Sequence, residues 1–220
     1  MLEQLFDAIQ RNDTARIDTL ITANPGLISQ RDKTGMSPLT LAAYNENKPI
    51  LQHLLKARGT PDFFEAAIVG EIPVVRAALA TGQDINERAP DGFTALSLAV
   101  FFRQPETARY LIEAGADVNA RATNAFQVGP IHAAVAREDI VTLELLLYCG
   151  ADANSSQQKR LRPLHAAAVS GNTTLVALLL MFGADPSLAS EDGKCAADYA
   201  REKGHHELAR RLEVLASAAS

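Results

Sequence analysis

The sequence predicts an all-α fold, a solenoid of about seven stacked helix-turn-helix units, and two recurring signatures carry that expectation. The first ends in a glycine turn: LIEAGADVNA, LLLYCGADAN and LLLMFGADPS place Gly115, Gly150 and Gly183 at intervals of 35 and 33 residues. Gly82 of LATGQDIN lies a further 33 residues before Gly115. The second signature runs in step with it, as SPLTLAA from Ser37, TALSLAV from Thr94, GPIHAAV from Gly129 and RPLHAAA from Arg162. A fixed period of this length marks a repeat array, in which each unit buries its apolar faces only against its neighbours. Composition agrees. Hydrophobic residues reach 47%, enough for a core and too many for a disordered chain.

Each element has a local reason. Ser37 and Thr94 are N-cap residue types, and Pro38, Pro130 and Pro163 stand at the first helical position, where a missing N–H costs nothing. The pairs Ala42-Ala43, Ala133-Ala134 and Ala166-Ala167 then let two helices approach closely and favour helix in themselves. The leucine runs 145–147 and 178–180 are apolar nearly all round, as suits a helix between neighbours. Gly115, Gly150 and Gly183 end that helix in a left-handed conformation. Ala-Asp-x-Asn follows as turn chemistry.

These motifs resemble the ankyrin repeat, whose pattern runs roughly D-x-x-G-x-T-P-L-H-x-A-A, a second helix, then L-L-x-x-G-A-D-x-N. The resemblance covers nearly the whole chain and implies an ankyrin-repeat solenoid with short β-hairpin loops, here called fingers. Counting along it gives units at about 1–31 (an N-terminal cap), 32–61, 62–88, 89–121, 122–154, 155–188 and 189–215 (a C-terminal cap), with 216–220 as a frayed tail. The fifth carries two extra residues near Asn124–Val128. The third is short: Arg58 holds the place of the terminal glycine, and DFFEAAIVGEIPVVRAALATG enters its helix with no finger before it.

The resemblance also implies where partners bind: at the finger tips and at two positions after the Ala pair. Those two positions hold Gln10 and Arg11, Tyr44 and Asn45, Ile68 and Val69, Phe101 and Phe102, Ala136 and Arg137, Val169 and Ser170, and Glu202 and Lys203. The finger position before the cap reads Met36, Phe93, Val128, Leu161 and Lys194. The ends are charged and the middle is apolar. Tyr44, Ile68, Val69, Phe93, Phe101, Phe102, Val128 and Leu161, with Arg137 beside them, would form one apolar patch with a polar rim, the anatomy of an interaction site. The alternative is that some of them, Ile68 above all, are core, and that Phe101 or Phe102 folds into the gap left by the missing finger. That gap would either make a cleft or be a neutral loop deletion.

Catalytic and ligand chemistry finds little support. A formal charge of -5 argues against nucleic-acid binding through bulk positive charge. Cys149 and Cys195 cannot form a disulfide framework and suit a reducing compartment. His132 and His165 fall in the repeat's P-L-H place, but Gly129 or Arg162 stands where the pattern has threonine, so their partners should be backbone groups of the next finger. Equivalent positions one repeat apart, ~8–10 Å, are too distant for two nitrogens each about 2 Å from one metal ion. His205-His206-Glu207 lacks the H-E-x-x-H spacing, and no phosphate loop or nucleophile elbow appears. Lys159, Arg160 and Arg162, with Arg121 and Arg137 nearby, would either steer an acidic partner or form a solvated finger tip. Asn86, Asn119 and Asn154 hold a place that asparaginyl hydroxylases modify in animal members of the family; turn stabilisation explains them more simply.

The expectation is therefore a non-catalytic protein-binding module, an adaptor, scaffold or inhibitor subunit. It needs no cofactor or metal and binds neither nucleic acid nor membrane. The start, MLEQLFDAIQRND, carries Glu3 and Asp7 where a secretion signal needs a basic end, and no apolar run approaches a membrane span, so a cytoplasmic monomer or weak homodimer is expected. The alternative function is a sensor that takes a small molecule or peptide in the notch of the third unit.

Overall fold

The structure is a computed structural model and describes residues 1–218. Seven helix pairs follow one another: α1 (Leu2–Gln10) and α2 (Thr14–Ala23), α3 (Pro38–Tyr44) and α4 (Lys48–Arg58), α5 (Phe63–Val69) and α6 (Ile72–Ala80), α7 (Ala95–Phe101) and α8 (Pro105–Glu113). The last three pairs are α9 (Pro130–Ala136) and α10 (Ile140–Tyr148), α11 (Pro163–Ser170) and α12 (Thr173–Met181), and α13 (Ala196–Glu202) and α14 (His206–Ala218). The first helices pack in series from α1 to α13, forming one inner row. Their alanines allow it: Ala42, Ala66, Ala99, Ala134 and Ala167 are fully buried.

The caps work as their residue types require. Ser37 and Thr94 hydroxyls accept from the backbone N–H of Thr40 and Ser97. Each also meets the hydroxyl of that same residue, at 3.0 and 3.1 Å, so a hydroxyl pair replaces the threonine–histidine pair of the family pattern. Gly150 and Gly183 end α10 and α12 at φ of 88° and 86°, a region closed to most residues.

Each finger is closed by one backbone bond: Asp32 N–H to Met36 O, Ala89 to Phe93, Ala122 to Val128, Gln157 to Leu161 and Ser190 to Lys194. The fifth unit's two extra residues widen its loop without removing that bond. Such fingers are too short for a ladder, and Arg88 with Thr94 forms an isolated bridge where a strand pair would otherwise begin. Neighbouring fingers are laced together, with Thr123 N–H donating to Gly92 O, Gln158 to Phe126 O and Glu191 to Lys159 O.

The third unit breaks this pattern. A short turn, with Asp62 capping α5 and Glu65 reaching back to the Asp62 N–H, replaces a finger. Counted from the first residue of its helix, Arg58 holds the place that Gly82, Gly115, Gly150 and Gly183 hold in other units, as the sequence reading has it; with arginine there, α4 runs on to Arg58 and stops at Gly59 (φ 79°). The core divides at the same place. One buried cluster runs from Phe63 in α5 to Leu212 in α14. A separate one, built on Leu5, Ile9, Ile17 and Leu54, fills the first two units and is plugged by a 3₁₀ turn (Pro25–Ser29) carrying Leu27 and Ile28. A small cluster of Ala43, Ile68, Ala89 and Leu98 bridges them.

Residues 216–218, expected to fray, continue α14; 219 and 220 lie outside the described residues.

Candidate functional site

Without a third finger, the second and fourth units meet directly. Gly35 lies so close to Pro90 that a Cβ on it would stand 2.0 Å from the Pro90 Cβ. Below that contact, the Tyr44 ring sits 5.0 Å from Phe102 and 5.9 Å from Phe101, and the two phenylalanines stack edge-on at 5.2 Å. The third unit is thereby set back. Ile68, only 2% exposed, belongs to the bridging core and forms a floor, not a contact surface. Of the two readings the sequence left open for Ile68, this is the core one, although the residue also lines the cavity described next. The gap in the finger row, which the sequence left as either a cleft or a neutral deletion, is closed at the tips by this contact.

What remains open is a cavity of about 490 Å³ at the C-terminal ends of the inner helices. Half-buried Tyr44, Phe101 and Phe102 make its apolar wall together with Leu51 and Ala43, over Ile68. Glu46, Lys48, Arg103 and Arg137 supply its charged groups, and Gln104 secures one side by donating from Nε2 to Ile68 O at 3.0 Å. Val69 and Phe93 are half-buried around the bridging core, while Val128 and Leu161 stand on later fingers outside the cavity. Of the nine residues expected to face a partner, the cavity gathers Tyr44, Ile68, Phe101, Phe102 and Arg137, while Val69, Phe93, Val128 and Leu161 lie outside its lining.

Glu46, Lys48, Leu51, Arg103 and Gln104 were missed by the sequence reading. A signal for two of them existed. Asn12, Glu46, Arg103 and Glu138 share a left-handed conformation (φ 60°, 53°, 56° and 52°), at the place where Gly70, Gly171 and Gly204 serve other units. The three glycines mark that position in the sequence, and the side chains filling it elsewhere project from the turn between the two helices of a unit.

Burial sets the electrostatics. It pushes the Tyr44 phenol up to about 12, with the Asp91 carboxylate adding to the effect, so Tyr44 stays a neutral donor. Burial also raises Asp91, against the pull of the Phe93 N–H and of Arg31. The Arg137 guanidinium lies 5.2 Å over the Phe101 ring, a cation–π arrangement, and bonds Glu46 at 2.9 Å.

Neither repeat histidine is free for a ligand. His132 Nδ1 accepts from Gly129 N–H (3.2 Å) while Nε2 donates to Ser155 O (2.9 Å). His165 does the same with Arg162 N–H (3.0 Å) and Leu188 O (3.0 Å). Both nitrogens are spent on backbone. Burial holds His132 at about 4 and lowers His165. Among the described residues, no group of three or more His, Cys, Asp or Glu side chains could hold a metal ion. None of their helices is long and apolar enough to cross a membrane.

Three arginines are spent on backbone in the same way, while Lys159 and Arg160 stand exposed on their finger. Arg88 donates to Arg121 O, Arg121 to Ser156 O and Arg162 to Ala189 O, each tying one finger to the next. Asn119 and Asn154 donate to Gly150 O and Gly183 O and accept from the N–H of Asp152 and Asp185 one unit on, and Asn86 accepts from Asp117 N–H. An apolar area also lies on the outer helices, where exposed Tyr148 stacks on Phe182 at 5.0 Å beside exposed Met181.

Helix pairs packed in series and joined by short fingers define a repeat protein, in which each unit is held by its neighbours. The chain belongs to the ankyrin repeat family: a model of three ankyrin repeats matches residues 5–122 and 131–214, and a second ankyrin-repeat model matches 98–147. Ankyrin repeats are generally protein-interaction modules. The chain is similar to alpha-latrocrustotoxin-Lt1a of Latrodectus tredecimguttatus, 30% identical over 106 residues. That match covers 44% of this chain and 8% of the toxin, so the chain spans a small fraction of that relative's length.

Proposed function

We propose that this protein is a non-catalytic interaction module, an adaptor, scaffold or inhibitor subunit, that captures a segment of a partner protein in the cavity between its second and fifth units. One observation carries this reading. Three aromatic rings from two non-adjacent units converge, half-buried, beside a charged rim at the point where the repeat loses its finger. Aromatic anchors ringed by polar groups are the usual centre of a protein interface. The cavity holds no histidine or cysteine, and its ionisable groups are those of an ion pair and a rim, which supports a binding role over catalysis. A working place in the cytoplasm, with no nucleic acid or membrane as target, belongs to the same reading.

The volume of about 490 Å³ also falls within the range of small-molecule sites, and this favours a sensor as the second reading.

The test compares pull-downs by wild-type protein, a Tyr44→Ser/Phe102→Ser variant and an outer-face control, Tyr148→Ser/Met181→Ser. Melting curves on all three verify folding, because Phe102 also touches the bridging core. A partner retained by wild-type and control but lost from the folded cavity variant supports the proposal. Loss with the outer-face variant instead moves the interface to the outer helices. Stabilisation by a small metabolite with no protein partner retained selects the sensor reading.

A further inference from the structure

The ion pair at the mouth of the cavity has an unusual reach. At the left-handed turn position, Asn12 contacts Asn47, Arg103 donates to Arg137 O and Glu138 accepts from Asn172, each one unit further on. Glu46 instead crosses from the second unit to Arg137 of the fifth, 91 residues away, at 2.9 Å.

Arg137 is prepared for more than this one bond. Its guanidinium is held over the Phe101 ring, its backbone carbonyl is pinned by Arg103 at 2.7 Å, and its side chain is only 27% exposed. A guanidinium offers five donors in a planar fork, best matched by a carboxylate gripped through two of them. Glu46 engages Nη1, and Nε is enclosed with no hydrogen-bond partner. Glu46 itself is 68% exposed on a turn and can swing away at little cost. With Glu46 displaced, Lys48, Arg103 and Arg137 leave a positive mouth on a chain whose formal charge is -5.

We infer that the cavity takes an acidic peptide segment: a partner carboxylate displaces Glu46 from Arg137 and pairs with its fork, while a neighbouring bulky apolar side chain enters against Tyr44, Leu51 and Phe102. Glu46 is an internal stand-in that occupies the arginine when no partner is present. This rests on the interaction-module reading above and adds the chemistry of the partner.

A random twelve-residue peptide display library, selected on the full chain, tests it. Enriched peptides are then resynthesised with a fluorescent label and titrated against wild-type, Arg137→Gln, Arg137→Lys, Glu46→Gln and Tyr44→Ser proteins, each checked for wild-type helicity. The expected peptides pair Asp or Glu with an aromatic or aliphatic residue. Their affinity should fall by at least about tenfold with Arg137→Gln, fall less with Arg137→Lys, and rise about threefold with Glu46→Gln, because the competitor is gone. Peptides that need Tyr44 but are neutral or basic, or whose binding ignores Arg137, overturn this inference and leave the interaction-module reading standing. A selection that yields no Tyr44-dependent peptide overturns both.

Discussion

The junction between the second and third units and the junctions further along the array solve one problem by different physics. From the fourth unit onward, neighbours share a continuous apolar core, finger-to-finger backbone bonds and asparagine and histidine side chains that reach the next turn. At the second-to-third junction the finger is gone and the two main cores do not merge. Charge takes over. Arg58 lies 2.7 Å from Glu65, which is 1% exposed, and 3.6 Å from Asp62. Arg31 stands where Arg88 and Arg121 stand in their units; lacking a next finger to bond, it pairs with Asp62 at 2.5 Å. At this junction a partly buried ion network stands where a finger would have been.

The largest expected effect breaks this junction. Replacing Glu65 with Ala removes the nearer partner of the Arg58 guanidinium in an almost dry site and leaves it Asp62 and the Ile28 carbonyl, at a cost of about 3 kcal/mol. Because the two main cores are separate, the first two units should then melt as a unit of their own. Urea titration followed by hydrogen exchange on residues 2–58 would show it. Arg58→Met with Glu65→Leu should recover most of the loss, since a buried pair replaced by well-packed apolar groups is close to neutral. A single cooperative transition in Glu65→Ala would show that the bridging cluster of Ala43, Ile68, Ala89 and Leu98 couples the two bodies more strongly than the ion network does.

Acid should test the other side of the comparison. In the folded chain His132 Nδ1 must stay unprotonated to accept from Gly129, and burial holds the ring at about 4 against an ordinary 6.5. Between those values the unfolded chain binds the proton that the folded chain refuses. Stability contributed by this site is therefore complete above about pH 6.5 and is lost as pH falls towards 4, by roughly 2–3 kcal/mol. His165 is shifted the same way by burial and adds to the slope. Urea midpoints measured from pH 7 to pH 4 should flatten in a His132→Gln variant.

The helix pairs, caps and glycine stops could be read from the sequence because each depends on a residue's own turn or on one recurring neighbour. Ser37, Thr94 and the three proline starts need no tertiary information. The aromatic centre was legible as well, since Tyr44, Phe101 and Phe102 all fall on the two positions after the Ala pair of their units. The rim was not. Glu46 and Arg137 are partners only because the third unit is set back, a consequence of the missing finger acting over 91 residues. Ile68 stayed open in the sequence for the same reason: its place in the repeat is a contact position, yet the approach of the second unit to the fourth covers it.

Two glycines in left-handed turns separate ordinary strain from this special approach. Gly115, at φ 96°, has open space where a Cβ would point, so Gly115→Ala should cost only the conformational penalty, about 1 kcal/mol. Gly35, at φ 83°, carries the same penalty, but its added Cβ would stand 2.0 Å from Pro90. Gly35→Ala should therefore cost about 2 kcal/mol and push the second and fourth fingers apart. Equal losses in thermal melts would mean the finger contact yields without resistance. Glu46→Gln is expected to be the mildest change, at about 0.5 kcal/mol or less, because the carboxylate is largely exposed. That small number discriminates. If Glu46 were a structural clamp closing the second unit onto the fifth, its removal would loosen the junction and speed hydrogen exchange in α3 and α5. If it only fills a binding arginine, exchange stays as it was and Arg137 becomes more available to any added carboxylate.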